Sequence, residues 1–150
     1  MHAVINTSIV TIDENESALT AAHLMKESEA GCLLVVNRDG KLSGIVTGRD
    51  LVLKVLAPGK KADAVHVREV MTKSPTTALA SDINMKSMAR ILSRARVRRL
   101  PIVDDNDRPV GIITLEDMLV YSADILHSLG TAVSSYLTVA RLKSVDLAKH

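Results

Sequence analysis

Two heptapeptides hold the residue types most able to do chemistry: GIVTGRD, from Gly44 to Asp50, and GIITLED, from Gly111 to Asp117. Each sets a hydroxyl and a carboxylate three positions apart, Thr47 with Asp50 and Thr114 with Asp117. At the start of a helix this spacing makes a capping box, in which the Thr hydroxyl accepts a backbone N–H and the carboxylate reaches back to the N–H of the capping residue. The same geometry also suits a ligand. A helix N-terminus turns unpaired N–H groups and partial positive charge toward an anion such as a phosphate. A carboxylate one turn further on can accept from both hydroxyls of a ribose. Both readings stay open from the residues alone. Gly44 and Gly48 do not have the spacing of a dinucleotide-binding fingerprint, and a hairpin leads into them in place of a parallel unit.

The remaining reactive types are scattered. His23, His66 and His127 lie far apart, and no His or Cys pair has metal-ligand spacing. Cys32 is the single cysteine, which excludes an intramolecular disulfide and suits a reducing compartment; at the head of an apolar run it reads as a small core residue. No nucleophile is accompanied in motif form by a base and an orienting group, so no catalysis and no catalytic cofactor are expected. Arg90, Arg94, Arg96, Arg98 and Arg99 form the one basic cluster. Near a helix C-terminus such residues complement the dipole on a solvated face. Arg98 and Arg99 fall past the helix, where they could meet a phosphate. A nucleic-acid surface is disfavoured, because 19 basic against 17 acidic residues leave a net charge of only +2 and two Tyr with no Phe or Trp offer no stacking platform. The N-terminal residues lack a basic leader followed by an apolar run, and no stretch is long enough to span a bilayer, so a cytoplasmic location is expected.

Stepping the first heptapeptide by 111 minus 44, or 67 residues, lands on the second, and the echo extends outward: Thr7–Leu53 overlays Ser74–Val120 without a gap. Identities include Ala22/Ala89, Leu33/Leu100, Val36/Val103, Gly44/Gly111, Thr47/Thr114 and Asp50/Asp117. Two copies of this length indicate an internal duplication, not a solenoid array. Each copy reads as a short strand (SIVTI, TTALA), a polar turn, a helix with apolar positions at helical spacing (Ala18, Ala21, Ala22, Met25; Met85, Met88, Ala89, Leu92, Ala95), and an apolar strand (CLLVV, LPIVD). A short turn and a second strand follow (SGIVT, VGIIT), and so short a connection requires an antiparallel hairpin. A closing helix begins at the Thr. The expected fold is therefore α+β: two pseudo-symmetric β-α-β-β-α repeats packed sheet to sheet. The first repeat spans 4–57 and the second 71–121, joined by a linker at 58–70 and followed by a helical extension at 122–150. In that extension Ile125, Leu129, Val133, Tyr136 or Leu137, and Ala140 keep helical spacing, with Gly130 as a weak point; the apolar face must cover the module or a partner subunit.

Two copies of apolar strand, hairpin and G-h-h-T-x-x-D-h (h apolar), with VMT at Val70–Thr72 and RVRRLPIVDD inside the second copy, resemble a tandem pair of CBS domains, a Bateman module. The resemblance implies two pseudo-symmetric clefts that in many members hold an adenine-containing ligand, with AMP, ADP, ATP, S-adenosylmethionine and NAD as candidates and AMP or ATP foremost. In one cleft it implies that Asp117 holds the ribose, that Thr114 meets ribose or phosphate, and that Ile112, Thr77, Thr72 and the backbone of Val97, Arg98 and Arg99 frame the base. In the other, Asp50, Thr47 and Arg49 take the polar roles, and Ile5, Val10, Ile45 and the Ala30, Gly31, Cys32 backbone form the apolar wall. Arg98 and Arg99 align with Gly31 and Cys32, and Arg49 with Glu116, so the clefts are not expected to be equivalent. The implied protein is a regulatory module that forms a homodimer and acts on a separate effector protein; the alternative is a scaffold without a ligand.

Overall fold

The structure, a computed structural model, describes residues 5–147, with side chains described from 5 to 137. Residue 4 and residues 148–150 of the expected repeat and extension, and the side chain of Ala140, lie outside the described residues. Seven strands and five α-helices follow in chain order: β1 (Thr11–Asp13), α1 (Ala18–Ser28), β2 (Cys32–Val36), β3 (Leu42–Thr47), α2 (Gly48–Leu51), α3 (Val67–Val70), β4 (Thr72–Lys73), β5 (Ala78–Leu79), α4 (Met85–Ala95), β6 (Arg99–Val103), β7 (Pro109–Thr114) and α5 (Leu115–Leu147). They form the two β-α-β-β-α units expected. β1 runs parallel to β2 and β5 parallel to β6, with a helix as each crossover, while β2/β3 and β6/β7 are antiparallel hairpins.

The duplication holds down to single backbone angles. Helix α1 is capped by Ser17 and α4 by Asn84, and each ends on a left-handed residue, Glu29 (φ 53°) and Arg96 (φ 54°), 67 positions apart. The hairpin turns match as well. Asn37 Oδ1 accepts from the N–H groups of Asp39 and Lys41, and Asp104 Oδ1 accepts from those of Asn106 and Arg108. The left-handed residue that completes each turn is Gly40 in one and Asp107 in the other.

Each repeat has its own apolar core. Ala18, Ala21, Leu33, Val35 and Val46 centre the first, and Met88, Leu92, Leu100, Ile102 and Ile113 the second. Leu34 and Ile112 are buried outside both clusters and line one cavity where the two sheets face each other. Ala22 and Ala89, matched in the repeat and expected among the apolar helix positions, are instead exposed, as is Ala95.

The sheets also exchange edges. β4, from the entry to the second repeat, adds to the first sheet in the order β1-β2-β3-β4, and Asn6, from the entry to the first, forms an isolated antiparallel bridge to Ile112 on β7. Gly44 and Gly111 permit this approach. A Cβ on Gly44 would lie 2.9 Å from the Thr72 carbonyl oxygen, and one on Gly111 would lie 2.5 Å from Ile5 Cγ2 and 3.3 Å from the Asn6 carbonyl oxygen.

Two segments depart from the expected pattern. The joining stretch 58–70 is no passive tether: Val65, Val67 and Val70 are buried in the first core, Ala18 N–H donates to the Val65 carbonyl at 2.8 Å, and Arg68 donates to Asn15 Oδ1 at 2.7 Å. The closing helices also differ. After α2 the chain widens into a π-helical turn over Val52–Leu56, whereas α5 continues for 33 residues through Gly130 without a break. Over residues 123 to 137 its apolar face does not fold back on the module, since each of these residues is exposed.

Candidate functional site

Both heptapeptides form complete capping boxes. Thr47 Oγ1 accepts from Asp50 N–H at 3.2 Å, while Asp50 Oδ2 accepts from Thr47 N–H at 2.9 Å and from the Thr47 hydroxyl at 2.8 Å. In the second copy the corresponding distances for Thr114 and Asp117 are 3.1, 3.0 and 2.6 Å. The first helical N–H is bonded too, Gly48 to the Gly31 carbonyl at 3.4 Å and Leu115 to the Arg98 carbonyl at 2.9 Å. These helix N-termini therefore have most of their N–H groups occupied, and a phosphate beside them would have to be met mainly by side chains.

The two carboxylates differ in what remains free. Asp50 Oδ1 is held by Lys54 Nζ at 2.7 Å, and Lys54 donates onward to the Val70 carbonyl at 2.6 Å. Burial pushes the Asp50 carboxyl up, but the Lys54 hydrogen bond, the Thr47 hydroxyl and N–H, and the Lys54 charge outweigh it and hold it below the usual range. Asp117 has no such lysine partner among the described residues, and it lines a pocket with Val120, Tyr121 and Asp124.

Two of the cavities between the repeats are lined by most of the expected residues, and each draws on both repeats. One, of about 270 Å³, is lined by Ser8, Val10, Ala30, Gly31 and Cys32 of the first repeat and by Arg99, Ile112 and Thr114 of the second. The other, of about 440 Å³, is lined by Thr72, Pro75, Thr76, Val97, Arg98 and Arg99 of the second repeat and by Ile45 and Thr47 of the first. They are related by the 67-residue offset: Ala30–Cys32 corresponds to Val97–Arg99, and Ile45 and Thr47 to Ile112 and Thr114.

Across the repeats, Ile112 and Thr114 face Val10 and Ala30–Cys32 in one cavity, and Ile45 and Thr47 face Val97–Arg99 in the other. Within each repeat the hairpin also keeps Thr114 paired with Arg99 and Thr47 with Cys32. The edge exchange carries the end of each hairpin to the entry segment of the other repeat. Several expected residues line neither cavity. Ile5 packs against the second core, Thr77 lines a neighbouring pocket with Asn37 and Asp107, and Arg49 is exposed. Asp50 and Asp117 stand one helical turn behind Thr47 and Thr114 in the caps. Asn6, Ser8, Ile9, Ser74, Pro75 and Thr76 line the cavities and were not singled out by motif. Their signal was positional, since Ser8/Pro75 and Ile9/Thr76 are matched pairs in entry segments that the exchange requires to cross.

Among the described residues, Arg99 is the one that lines both cavities. A Cβ on Gly31 would meet Arg99 Nη2 at 3.9 Å, so the guanidinium lies over the bare Gly31 backbone. Burial pushes the Cys32 thiol up, with the Arg99 charge and hydrogen bond working against it, so Cys32 stays protonated near neutral pH and is a poor nucleophile. Arg98 is paired with Glu116 at the mouth of the larger cavity. Among the described residues, no group of three His, Cys, Asp or Glu is placed to hold a metal ion, and no helix is long and apolar enough to cross a membrane.

Comparison with known proteins agrees with this architecture. The CBS domain family matches residues 2–57 and again 67–124, and the chain belongs to that family as a tandem pair. It is 35% identical over 116 residues to an uncharacterised protein of Methanopyrus kandleri, a match covering 77% of this chain and 59% of that one. The CBS domain-containing protein YhcV of Bacillus subtilis is 35% identical over 117 residues, covering 76% of this chain and 79% of YhcV. Among solved structures, a hexameric CBS-CP12 protein from bloom-forming cyanobacteria superposes with a TM-score of 0.67 at 30% identity, covering 77% of this chain and 66% of that one. Assembly into oligomers thus occurs among the relatives.

Proposed function

We propose that the chain is a non-catalytic regulatory module that binds an adenine-containing nucleotide, AMP, ADP, ATP or NAD, in the clefts between its repeats. The observation that carries this reading is the make-up of the paired cavities: each is lined by apolar residues, by a Thr from one repeat, by the strand-entry residues of the other, and by Arg99. Aliphatic walls can sandwich a base in place of aromatic rings, the hydroxyl suits ribose or phosphate, and a guanidinium is the side chain best shaped for phosphate. A ligand seated there touches both repeats and favours the arrangement in which they close on it, by no more than its difference in affinity between states. The signal then passes to a separate effector protein as a change of shape or association. The test is calorimetric titration of the full chain with AMP, ADP, ATP and NAD. Saturable binding to at least one is expected, and no binding to any of them overturns the reading.

The second reading is a scaffold with no physiological ligand. It is favoured by the completeness of the caps, since the Asp50 carboxylate has both oxygens engaged within the chain. The two readings separate at Asp117. As a ribose grip its replacement by Ala lowers nucleotide affinity with the fold retained, whereas as a cap alone the change costs about 0.5–2 kcal/mol of stability and leaves affinity unchanged.

A further inference from the structure

The two clefts share a plan but not a charge. In each repeat a left-handed helix end leads into the strand that borders a cleft, and at the 67-residue offset these entries are Glu29-Ala30-Gly31-Cys32 and Arg96-Val97-Arg98-Arg99. The first has one acid and no base, a net −1, and the second has three bases and no acid, a net +3. Glu29 lines the smaller cavity, of about 270 Å³, and among the described residues Arg99 is the other charged group there, so the lining is neutral as a whole. The larger cavity, of about 440 Å³, is lined by Arg98 and Arg99 and, among the described residues, by no carboxylate. Arg96, the match of Glu29, lines the groove between α4 and α5 instead.

The residues behind the two threonines widen the difference. Asp50, one turn behind Thr47, is balanced by Lys54 at 2.7 Å, whereas Asp117, behind Thr114, has no such lysine among the described residues and shares a pocket with Asp124. Resting on the nucleotide reading above, we propose that the larger cleft selects nucleotides by their number of phosphates, ATP over AMP, while the smaller cleft holds either alike because Glu29 opposes the added charge. Size agrees, since small-molecule cavities generally begin at about 300 Å³ and the larger cleft alone of the two exceeds that. Arg98 is free to serve. Its pairing with Glu116 joins side chains that are 72 and 54% exposed, and so exposed a pair is weak. A phosphate in the cleft can take the guanidinium from it through charge-assisted hydrogen bonds. Gly31, the match of Arg98, gives the smaller cleft no equivalent group.

Calorimetric titration of the full chain with AMP and with ATP tests this. The wild type is expected to show two sites, one that prefers ATP by roughly 10- to 100-fold, the range of a hydrogen bond to a charged group, and one with no preference. Arg98→Gln is expected to lower ATP affinity at the first site by about 10-fold and to leave AMP affinity nearly unchanged. Glu29→Arg, which puts at this position the residue type of its match, is expected to make the second site prefer ATP too, and Glu29→Gln to do so more weakly. Glu29 and Arg98 are both exposed, so unchanged circular dichroism is expected in all three variants. A single site in the wild type, equal ATP and AMP affinities at both sites, a preference untouched by Arg98→Gln, or a second site unmoved by both Glu29 variants each overturns the proposal and leaves nucleotide binding standing. No binding of AMP, ADP, ATP or NAD overturns the nucleotide reading itself, and the proposal with it.

Discussion

Arg99 reaches both cavities at once, because the edge exchange brings Gly31 of one repeat under the guanidinium that the other repeat has at the matching strand entry. Arg99→Ala is therefore expected to weaken nucleotide binding about 10- to 100-fold at every occupied cleft, the loss of a charge-assisted hydrogen bond, as read by calorimetry. A loss at one cleft with full affinity at the other would contradict the shared role. The paired Asp50 and Lys54 give a second test at this scale. Since the Asp50 carboxyl is held below its ordinary 3.8, its ionised form adds stability that is fully present above that value and is lost as pH falls through the lower folded value. Lys54→Met removes the principal partner, so the variant should be less stable than wild type at neutral pH, and the gap should narrow in urea titrations as the pH falls through the lowered Asp50 value. A gap that stays constant with pH would assign the Lys54 contribution to packing. The Thr and Asp of each heptapeptide were legible in the sequence as caps because capping is a local geometry. Arg99 as a shared residue was not, since the Gly31/Arg98 and Cys32/Arg99 alignment shows which positions differ but not that one side chain crosses to the other cleft.

At the level of elements, the left-handed helix ends at Glu29 and Arg96 have no glycine to mark them, whereas the hairpins and the crossover helices follow from short-range rules and were readable from turn residues and apolar spacing. The entry strands were not, because β4 and Asn6 leave their own repeats and pair elsewhere, and nothing local to VMT or to Ile5 and Asn6 states a partner. The two glycines were the available signal, each marking a place where another backbone comes close. Substituting them tests how firm each crossing is. At Gly44 the added methyl meets backbone, the Thr72 carbonyl oxygen at 2.9 Å, together with the Met71 side chain, whereas at Gly111 its nearest neighbour is the Ile5 side chain and the backbone oxygen stands back at 3.3 Å. Gly44→Ala is expected to destabilise by about 1–3 kcal/mol, as overpacking does, and Gly111→Ala by less, measured by denaturant unfolding. The reverse order would mean that the N-terminal crossing is the tighter one. The helix ends offer a gain. Glu29 stands in a left-handed conformation where glycine has no steric cost, so Glu29→Gly should raise stability by about 0.5 kcal/mol, the left-handed strain relieved less the added chain entropy of glycine.

Over the whole molecule, two separate cores joined through two ligand-sized cavities make the contact between the repeats the part of the fold most open to a ligand. A nucleotide that binds the assembled pair and not the unfolded chain stabilises it by about 2.7 kcal/mol at one hundred times its dissociation constant. For a chain of 150 residues, that corresponds to a rise in Tm of roughly 5–10 °C for one occupied cleft. The shape of the transition should change as well. If the contact between the repeats is weaker than either core, the free chain unfolds with a calorimetric enthalpy larger than its van't Hoff enthalpy, the sign of two units melting in part independently. Because the ligand contacts both repeats, saturation should bring the two enthalpies together as well as raising Tm, and Arg99→Ala should lose both effects. A nucleotide that raised Tm while leaving the enthalpy ratio of such a chain unchanged would be stabilising one repeat alone, and the bridging role assigned to the clefts would then be wrong even though binding itself was real.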